Sequence, residues 1–386
     1  MVAGRQILGI LAGFSNKLYN VEWSFDNGIP EKHVDHTLVT LMLGDERGAS
    51  GVQPVIELYD DNGNIIGSRI TSESHTISKN DNLDDHVYKI KHDLHWNPME
   101  TPKYAVVNQC SKDAICISAM QFSNGNQSVV FFGDMGALCG QTWFFSRRRL
   151  SPSLPHPKCV WLDLDHTTGF NARAMSFHLN DLLGTPDKVK MYQENHDYIC
   201  KSTPRFSYWY NLWPMAQLPV FKPPLEYERD EITGMEGRDT HPNQAFDTVK
   251  WDKMAYTDPQ PVDEGNFRPS YTSDQRKAKR AKLAKRSGTN MDVSHLVVTR
   301  AEGHEASLVC NSTSSYGYDV VSLRERTYCD MTVKRLYSLC DDIHKENCFD
   351  VEKRTLVGRG GINARGEVSA VGVPQKRYES TDRWEE

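Results

Sequence analysis

No apolar run in this chain approaches the roughly 18 residues a membrane-spanning helix requires, so the sequence excludes such a helix. Strong charge of one sign is also missing. Lys+Arg 45 against Asp+Glu 51 gives a net charge of -6, which supplies no general attraction to nucleic acid or to anionic membrane. Nucleic acid is therefore not an expected partner. The chain has no G-x-S-x-G elbow, no G-x-x-x-x-G-K-[ST] loop, no H-E-x-x-H and no G-x-G-x-x-G. The enzyme families most easily read from spacing are thereby excluded, no cofactor is expected, and the reading leans away from an enzyme. A C-x2-C pair is absent as well, and His344, near Cys340 and Cys348, has no second closely spaced pair, so no metal site is assigned.

What the chain does have is cysteine, with Cys310, Cys329, Cys340 and Cys348 crowded near its C-terminal end. Asn311-Ser312-Thr313, a glycosylation sequon, follows the first of them at once, and a second sequon begins at Asn126. A short segment with little apolar material to bury is sensibly held by covalent links, which form in oxidising compartments. The expected location is therefore extracellular. Nine cysteines leave one over if the rest are bridged. The closely spaced Cys110 is the candidate spare, leaving Cys116, Cys139, Cys159, Cys200, Cys310, Cys329, Cys340 and Cys348 as disulfide candidates. Ile7 to Phe14, preceded by Arg5, has the order of a signal peptide but is short and interrupted by glycine.

With 386 residues and a hydrophobic share of 38%, the chain has room for two domains but not for one core along its whole length. From His36 to Phe145 short β-rich runs alternate with turn residues, and Asp61-Asn62-Gly63-Asn64 carries the Asn-Gly signature of a tight hairpin. Further strands are expected over Ala114 to Met120, Ser128 to Phe132, Thr142 to Phe145 and Cys159 to Leu164. The expected fold is mainly β with some α: an antiparallel β-sandwich, a disordered linker, and a small disulfide-stapled unit containing helix. The expected boundaries are 1–222 for the sandwich, 223–291 for a basic linker, 292–351 for the cysteine-rich unit and 352–386 for a disordered tail. Helices are expected within Asn180 to Asp197, over Glu302 to Val309 and over Val333 to Leu339.

Candidate sites are few. Phe206, Tyr208, Trp209, Tyr210 and Trp213 place five rings in eight positions, to be read as core or lid over the sandwich, or as a stacking platform for a carbohydrate or apolar small molecule. Asp163, Asp165 and His166 are the tightest acid and imidazole group and the only catalytic candidates; alternation along a strand would put both carboxylates on one face. The default for them is a pair of surface or turn carboxylates. Gly133-Asp134-Met135-Gly136 reads as a turn using glycine for unusual backbone angles. The run Arg276 to Arg286 holds two dibasic pairs, to be read as protease sites in a secreted chain, as a nuclear-localisation signal in an intracellular one, or as a solvated charge cluster.

Several segments together resemble a group of functionally uncharacterised, secreted, cysteine-rich proteins of filamentous fungi, some of them encoded near secondary-metabolite gene clusters. They are Asp113-Ala114-Ile115-Cys116-Ile117, Gly133 to Gly140, Cys159-Val160-Trp161-Leu162-Asp163, Tyr318 to Ser322 running into Tyr328 to Met331, Leu336 to Cys340, and Asn347-Cys348-Phe349-Asp350. The resemblance implies export, stapling and fungal origin, and it carries no catalytic residues. It points to a binding or interaction protein, with an accessory enzyme or ligand-binding protein of a secondary-metabolite pathway as the alternative. The chain departs from the group in its weak N-terminal signal and in Cys110.

Overall fold

The structure is a computed structural model that describes residues 6–8, 20–22, 35–44, 47–70, 76–77, 86–94, 97–124, 128–148, 156–166, 169–240, 293–362, 368–371 and 376–384. Most of Ile7 to Phe14, the sequon at Asn126 and the run Arg276 to Arg286 lie outside these residues. The chain divides into two compact units, 1–283 and 284–386.

The strands of the first unit are β1 (Gln6–Leu8), β2 (Asn20–Glu22), β3 (His36–Leu43), β4 (Gly51–Val52), β5 (Val55–Tyr59), β6 (Ile65–Arg69), β7 (Thr76–Ile77), β8 (Val87–Lys91) and β9 (Tyr104–Asn108). They continue with β10 (Ile115–Ser123), β11 (Ser128–Phe132), β12 (Trp143–Phe145), β13 (Lys158–Leu162), β14 (Ala174–His178), β15 (Phe206–Trp209), β16 (Tyr227–Arg229) and β17 (Glu236–Asp239). Helices α1 (Gly133–Leu138), α2 (Pro186–Glu194) and α3 (Asp197–Cys200) are short. Two antiparallel sheets form the sandwich. One has the order β12-β13-β10-β3-β8, with β11 also on β10; the other has the order β15-β14-β9-β5-β6.

Pleating gives each strand two faces. Phe122 and Phe131 from the first sheet meet Phe177 and Phe206 from the second, with ring centroids 6.1 Å apart for Phe122–Phe177, 4.7 Å for Phe131–Phe177 and 5.9 Å for Phe131–Phe206. The β5–β6 turn follows its sequence signal. Gly63 takes φ +84°, and Asp60 Oδ1 accepts from the Asn62 and Asn64 amides at 2.8 Å each.

The expected turn at Gly133-Asp134-Met135-Gly136 is instead helix α1. Its glycine answers close packing rather than backbone angle: a Cβ on Gly133 would lie 2.1 Å from the Lys158 carbonyl oxygen. Of the expected helical stretch Asn180 to Asp197, α2 holds the middle, and a single 3-10 turn precedes it at Leu179–Leu182.

The second unit contains β18 (His295–Thr299), α4 (Ala306–Asn311), β19 (Asp319–Ser322), β20 (Thr327–Asp330), β21 (Arg335–Leu339), β22 (Cys348–Asp350), β23 (Thr355–Val357), β24 (Arg359–Ile362), β25 (Val368–Val371) and β26 (Ser380–Trp384). Its main sheet has the order β23-β22-β21-β20-β19-β18-β26 and mixes parallel with antiparallel pairs. The helix expected over Val333 to Leu339 is strand β21, entered through a turn in which Lys334 has φ +51°. Tyr337 and Leu339 are buried while Leu336 is exposed, the period of a strand. The other expected helix begins later than Glu302, at Ala306.

Disulfides Cys116–Cys159, Cys139–Cys200, Cys310–Cys329 and Cys340–Cys348 use all eight candidates, and Cys110 is the free cysteine. Cys310 at the end of α4 is thereby tied to β20. Such a set is compatible with an extracellular protein.

Two expected disordered stretches contain structure. Residues 223–240, placed in the linker, form the β16–β17 hairpin, and residues 380–384, placed in the tail, form β26 in parallel pairing with β18. Ion pairs and ladder bonds hold both. Arg205 grips Asp239 of the hairpin at 2.7 Å, and Lys376 grips Asp319 at 2.6 Å.

Candidate functional site

The pairing Ala174↔Trp209 and Ala174↔Asn108, with Tyr59↔Tyr104, puts Glu57, Tyr59, Tyr104, Val106, Asn108, Ala174 and Trp209 on the outer face of the second sheet. That face is apolar enough to need covering and polar enough to specify what covers it. Residues 210–221 do so, adding Leu212, Ala216, Leu218 and Phe221 to a cluster with Tyr59, Tyr104, Val106 and Trp209.

Side chains of the sheet stitch this strap down through its backbone. Asn108 Nδ2 donates to the Leu212 carbonyl at 2.7 Å, and the Met215 amide donates to Glu57 Oε1 at 2.7 Å. Tyr59 OH donates to the Ala216 carbonyl at 3.3 Å, and the Phe221 amide donates to Tyr104 OH at 2.9 Å. Glu57 is wholly buried, and that burial raises its carboxyl pKa against the opposing effect of the Met215 amide and Tyr59 hydroxyl.

Each ring of the candidate aromatic cluster has a definite place. Phe206 is in the sandwich core, Tyr208 is half-buried, and Trp209 is buried on the outer face with Nε1 donating to Ser176 Oγ at 2.9 Å. Tyr210 stacks on His166 with ring centroids 3.8 Å apart, so the structure joins the two groups of candidates. Trp213 alone is open to solvent, 46% exposed.

Beneath Trp213 lies Arg173, buried, its guanidinium carbon 3.9 Å from the indole centroid. Arg173 Nε donates to Asn108 Oδ1 and to the Gln109 carbonyl, each at 3.1 Å, and Nη1 donates to Asn211 Oδ1 at 3.3 Å. Nη2 reaches Cys110 Sγ at 3.8 Å. Burial pushes the Cys110 thiol pKa up, with the guanidinium acting in the opposite direction. The indole is thus held against a buried cation while about half of its side chain stays exposed. Sequence alone had grouped Trp213 with its four neighbours, without Arg173, because the two are brought together only by the β14–β15 pairing.

Asp163, Asp165 and His166 do not share a strand face. Strand β13 ends at Leu162, and His166 has φ +54° in the turn beyond. Asp163 is fully buried rather than a surface carboxylate, Asp165 is half-buried, and His166 Nδ1 bonds the Phe170 carbonyl at 2.8 Å. No group of three or more His, Cys, Asp or Glu able to hold a metal ion occurs among the described residues.

A buried polar cluster centred on Arg205 and Asp181 has no counterpart among the sequence motifs. Arg205 Nη1 donates to Asp181 Oδ1 at 3.2 Å and to Tyr192 OH at 2.7 Å; His178 Nδ1 lies 2.8 Å from Asp181 Oδ2, and Tyr227 OH donates to Asp181 Oδ1 at 2.9 Å. Arg205, Asp181, His178 and Tyr192 are buried and Tyr227 is half-buried, and their mutual bonds fasten the hairpin even though Arg205 Nε finds no hydrogen-bond partner among the described residues. Asn311, the described sequon, is exposed at the end of α4. No family model matches the chain, and no curated protein and no solved structure matches it either.

Proposed function

We propose that the chain is a secreted fungal binding protein whose ligand stacks on Trp213. The observation that carries this reading is the exposed indole fixed over buried Arg173 on a strap that four sheet side chains anchor. A ring docking there meets a surface whose conformational entropy is already spent. The flat, weakly polar faces of sugar rings fit such a platform, so neutral oligosaccharides are the proposed ligands. Met215, 54% exposed on the same strap, extends the apolar surface. The four disulfides and the accessible Asn311 support an extracellular setting, in agreement with the fungal resemblance.

The experiment is a fluorescence titration of the full chain with a panel of neutral oligosaccharides, run alongside Trp213→Ala. At least one oligosaccharide should change the wild-type emission saturably, with at least tenfold weaker binding to the variant. A flat response across the panel, or equal binding by the variant, removes the proposal.

A further inference from the structure

Strand pairing brings three charged side chains of the second unit together. Asp319 opens β19 and Asp330 closes β20, and the register Val320↔Cys329 of that antiparallel pair sets the two carboxyls opposite each other on one face. Lys376 reaches both. Its Nζ donates to Asp319 Oδ2 at 2.6 Å, to Asp330 Oδ1, and to Thr332 Oγ1 at 3.0 Å. The lysine side chain is 13% exposed, and those of Asp319 and Asp330 are 3% and 0% exposed. Arg335, paired with Asp330 across the β20–β21 ladder, lies over the Tyr337 ring instead, its guanidinium carbon 5.1 Å from the centroid.

The hydrogen bonds assign the protons. Tyr328 OH, Tyr378 OH and Asp319 Oδ2 touch one another pairwise. Three such contacts need three protons, and the two hydroxyls hold two. The third belongs to Asp319, which is then a neutral carboxylic acid with Oδ2 as its hydroxyl. Its Oδ1, the carbonyl oxygen, accepts the Met331 amide at 2.7 Å. Burial acts in the same direction, raising the Asp319 pKa against the opposing effect of Lys376. Asp330 remains as the carboxylate that balances the ammonium. Its Oδ1 also accepts the Thr332 amide at 3.0 Å, while its buried Oδ2 finds no hydrogen-bond partner among the described residues. An amine, a neutral acid and a base are thus in contact where little water reaches.

We propose that Lys376 and Asp319 are joined by an intramolecular amide bond that this cluster forms by itself. Asp330 takes one proton from the Lys376 ammonium, and the freed Nζ lone pair attacks Asp319 Cγ. The Met331 amide holds the negative charge that develops on Oδ1. The bond from Cγ to Oδ2 then breaks, and the Oδ2 hydroxyl leaves as water with a second proton from Nζ. The third proton stays on the amide nitrogen, so atoms and charge balance without any co-reactant. Exclusion of water from the buried site opposes the reverse hydrolysis. The bond ties the segment that carries β26 to β19.

Tandem mass spectrometry of the deglycosylated, reduced and alkylated full chain after trypsin digestion tests this. Cleavage should fail at Lys376, and residues 301–324 should be found joined to residues 366–377 through Asp319, lighter than their sum by one water. Asp319→Asn should give the same branched peptide, with ammonia leaving in place of water. Lys376→Arg should give linear peptides only. Asp330→Asn should lower the branched fraction at least tenfold, with an unchanged near-ultraviolet circular dichroism spectrum separating loss of the base from loss of the fold. The proposal is overturned by linear peptides alone from the folded wild type, by a branch carried on Asp330 in residues 327–334, or by undiminished branching in Asp330→Asn.

Discussion

Arg205 and Asp181 form an ion pair 3.2 Å long in which neither side chain reaches solvent. Arg205 also holds Asp239 of the β16–β17 hairpin at 2.7 Å, so one guanidinium joins β15, the turn after β14 and the hairpin. Replacing one member of a buried pair leaves the other charge uncompensated, which costs about 3–5 kcal/mol. Arg205→Met is expected to destabilise the first unit by that amount in urea unfolding; an unchanged midpoint contradicts it.

The same pair sets an acid limit. Burial acts to raise the Asp181 pKa, but Arg205 and His178 outweigh it and hold the carboxyl well below its usual range. A depressed carboxylate stabilises the fold fully above its unfolded pKa of about 4 and loses that contribution as pH falls below it. The stability gap between wild type and Arg205→Met should therefore narrow below about pH 4. A gap that widens there rejects the assignment.

Lys188 predicts the opposite end of the pH scale. Its Nζ is buried, donates to the Asn180 carbonyl at 2.6 Å and lies 4.0 Å over the Tyr227 ring. Burial, only partly countered by Asp181 and Glu236, lowers its pKa to about 8. The unfolded chain holds the proton up to about pH 10.4, so between these values it binds more protons than the folded state and stability rises with pH, by about 3 kcal/mol. Lys188→Met should lack this rise. Unfolding free energies of both proteins at pH 7 and pH 10 measure it, and a constant difference between them rules it out.

The strap gives a test of positioning. Glu57 accepts the Met215 amide, so Glu57→Ala should free the strap, shift Trp213 emission to the red and weaken ligand binding at Trp213. Glu57→Gln keeps an acceptor and removes a buried acid, and it should restore both readouts. Because burial raises the Glu57 pKa, its ionisation costs stability as pH rises through the folded value. Equal behaviour of the alanine and glutamine variants would remove Glu57 from this role.

Thiol chemistry tests the covalent frame. Alkylation of the unfolded, unreduced chain should add one label, at Cys110, and alkylation after reduction should add nine. For a 19-residue separation the chain-entropy account gives about 3 kcal/mol, so Cys310→Ala with Cys329→Ala should destabilise the second unit by roughly that amount. Mass spectrometry and urea unfolding read the two outcomes. More than one label without reductant, or an unchanged midpoint, counts against the frame.

Local chemistry made part of this fold legible. The Asp60 to Asn64 turn is specified by an Asp side chain and a glycine within five residues, and the strands on either side carry their own β-formers. The hairpin at 227–239 escaped because disorder was read from a shortage of apolar residues, whereas its anchors are Tyr227 to Asp181 and Asp239 to Arg205. Leu336 and Leu339 fit a helical spacing in the sequence, but burial of Tyr337 in place of Leu336 decides for strand β21. Trp213 was visible as an aromatic residue, while its distinction from Phe206 and Trp209 was not, since exposure is a property of the packed sheet.

The sequence by itself determined the β-rich class, the hairpin turn and the parity of the cysteines, because these rest on backbone preference and on counting within a few neighbouring residues. Tertiary structure alone decided which cysteines pair, that Arg173 comes to lie under Trp213, and that Lys376 meets Asp319 and Asp330. Those contacts join residues far apart in the chain, and their partners are selected by sheet register and strand direction, which no local run of residues encodes.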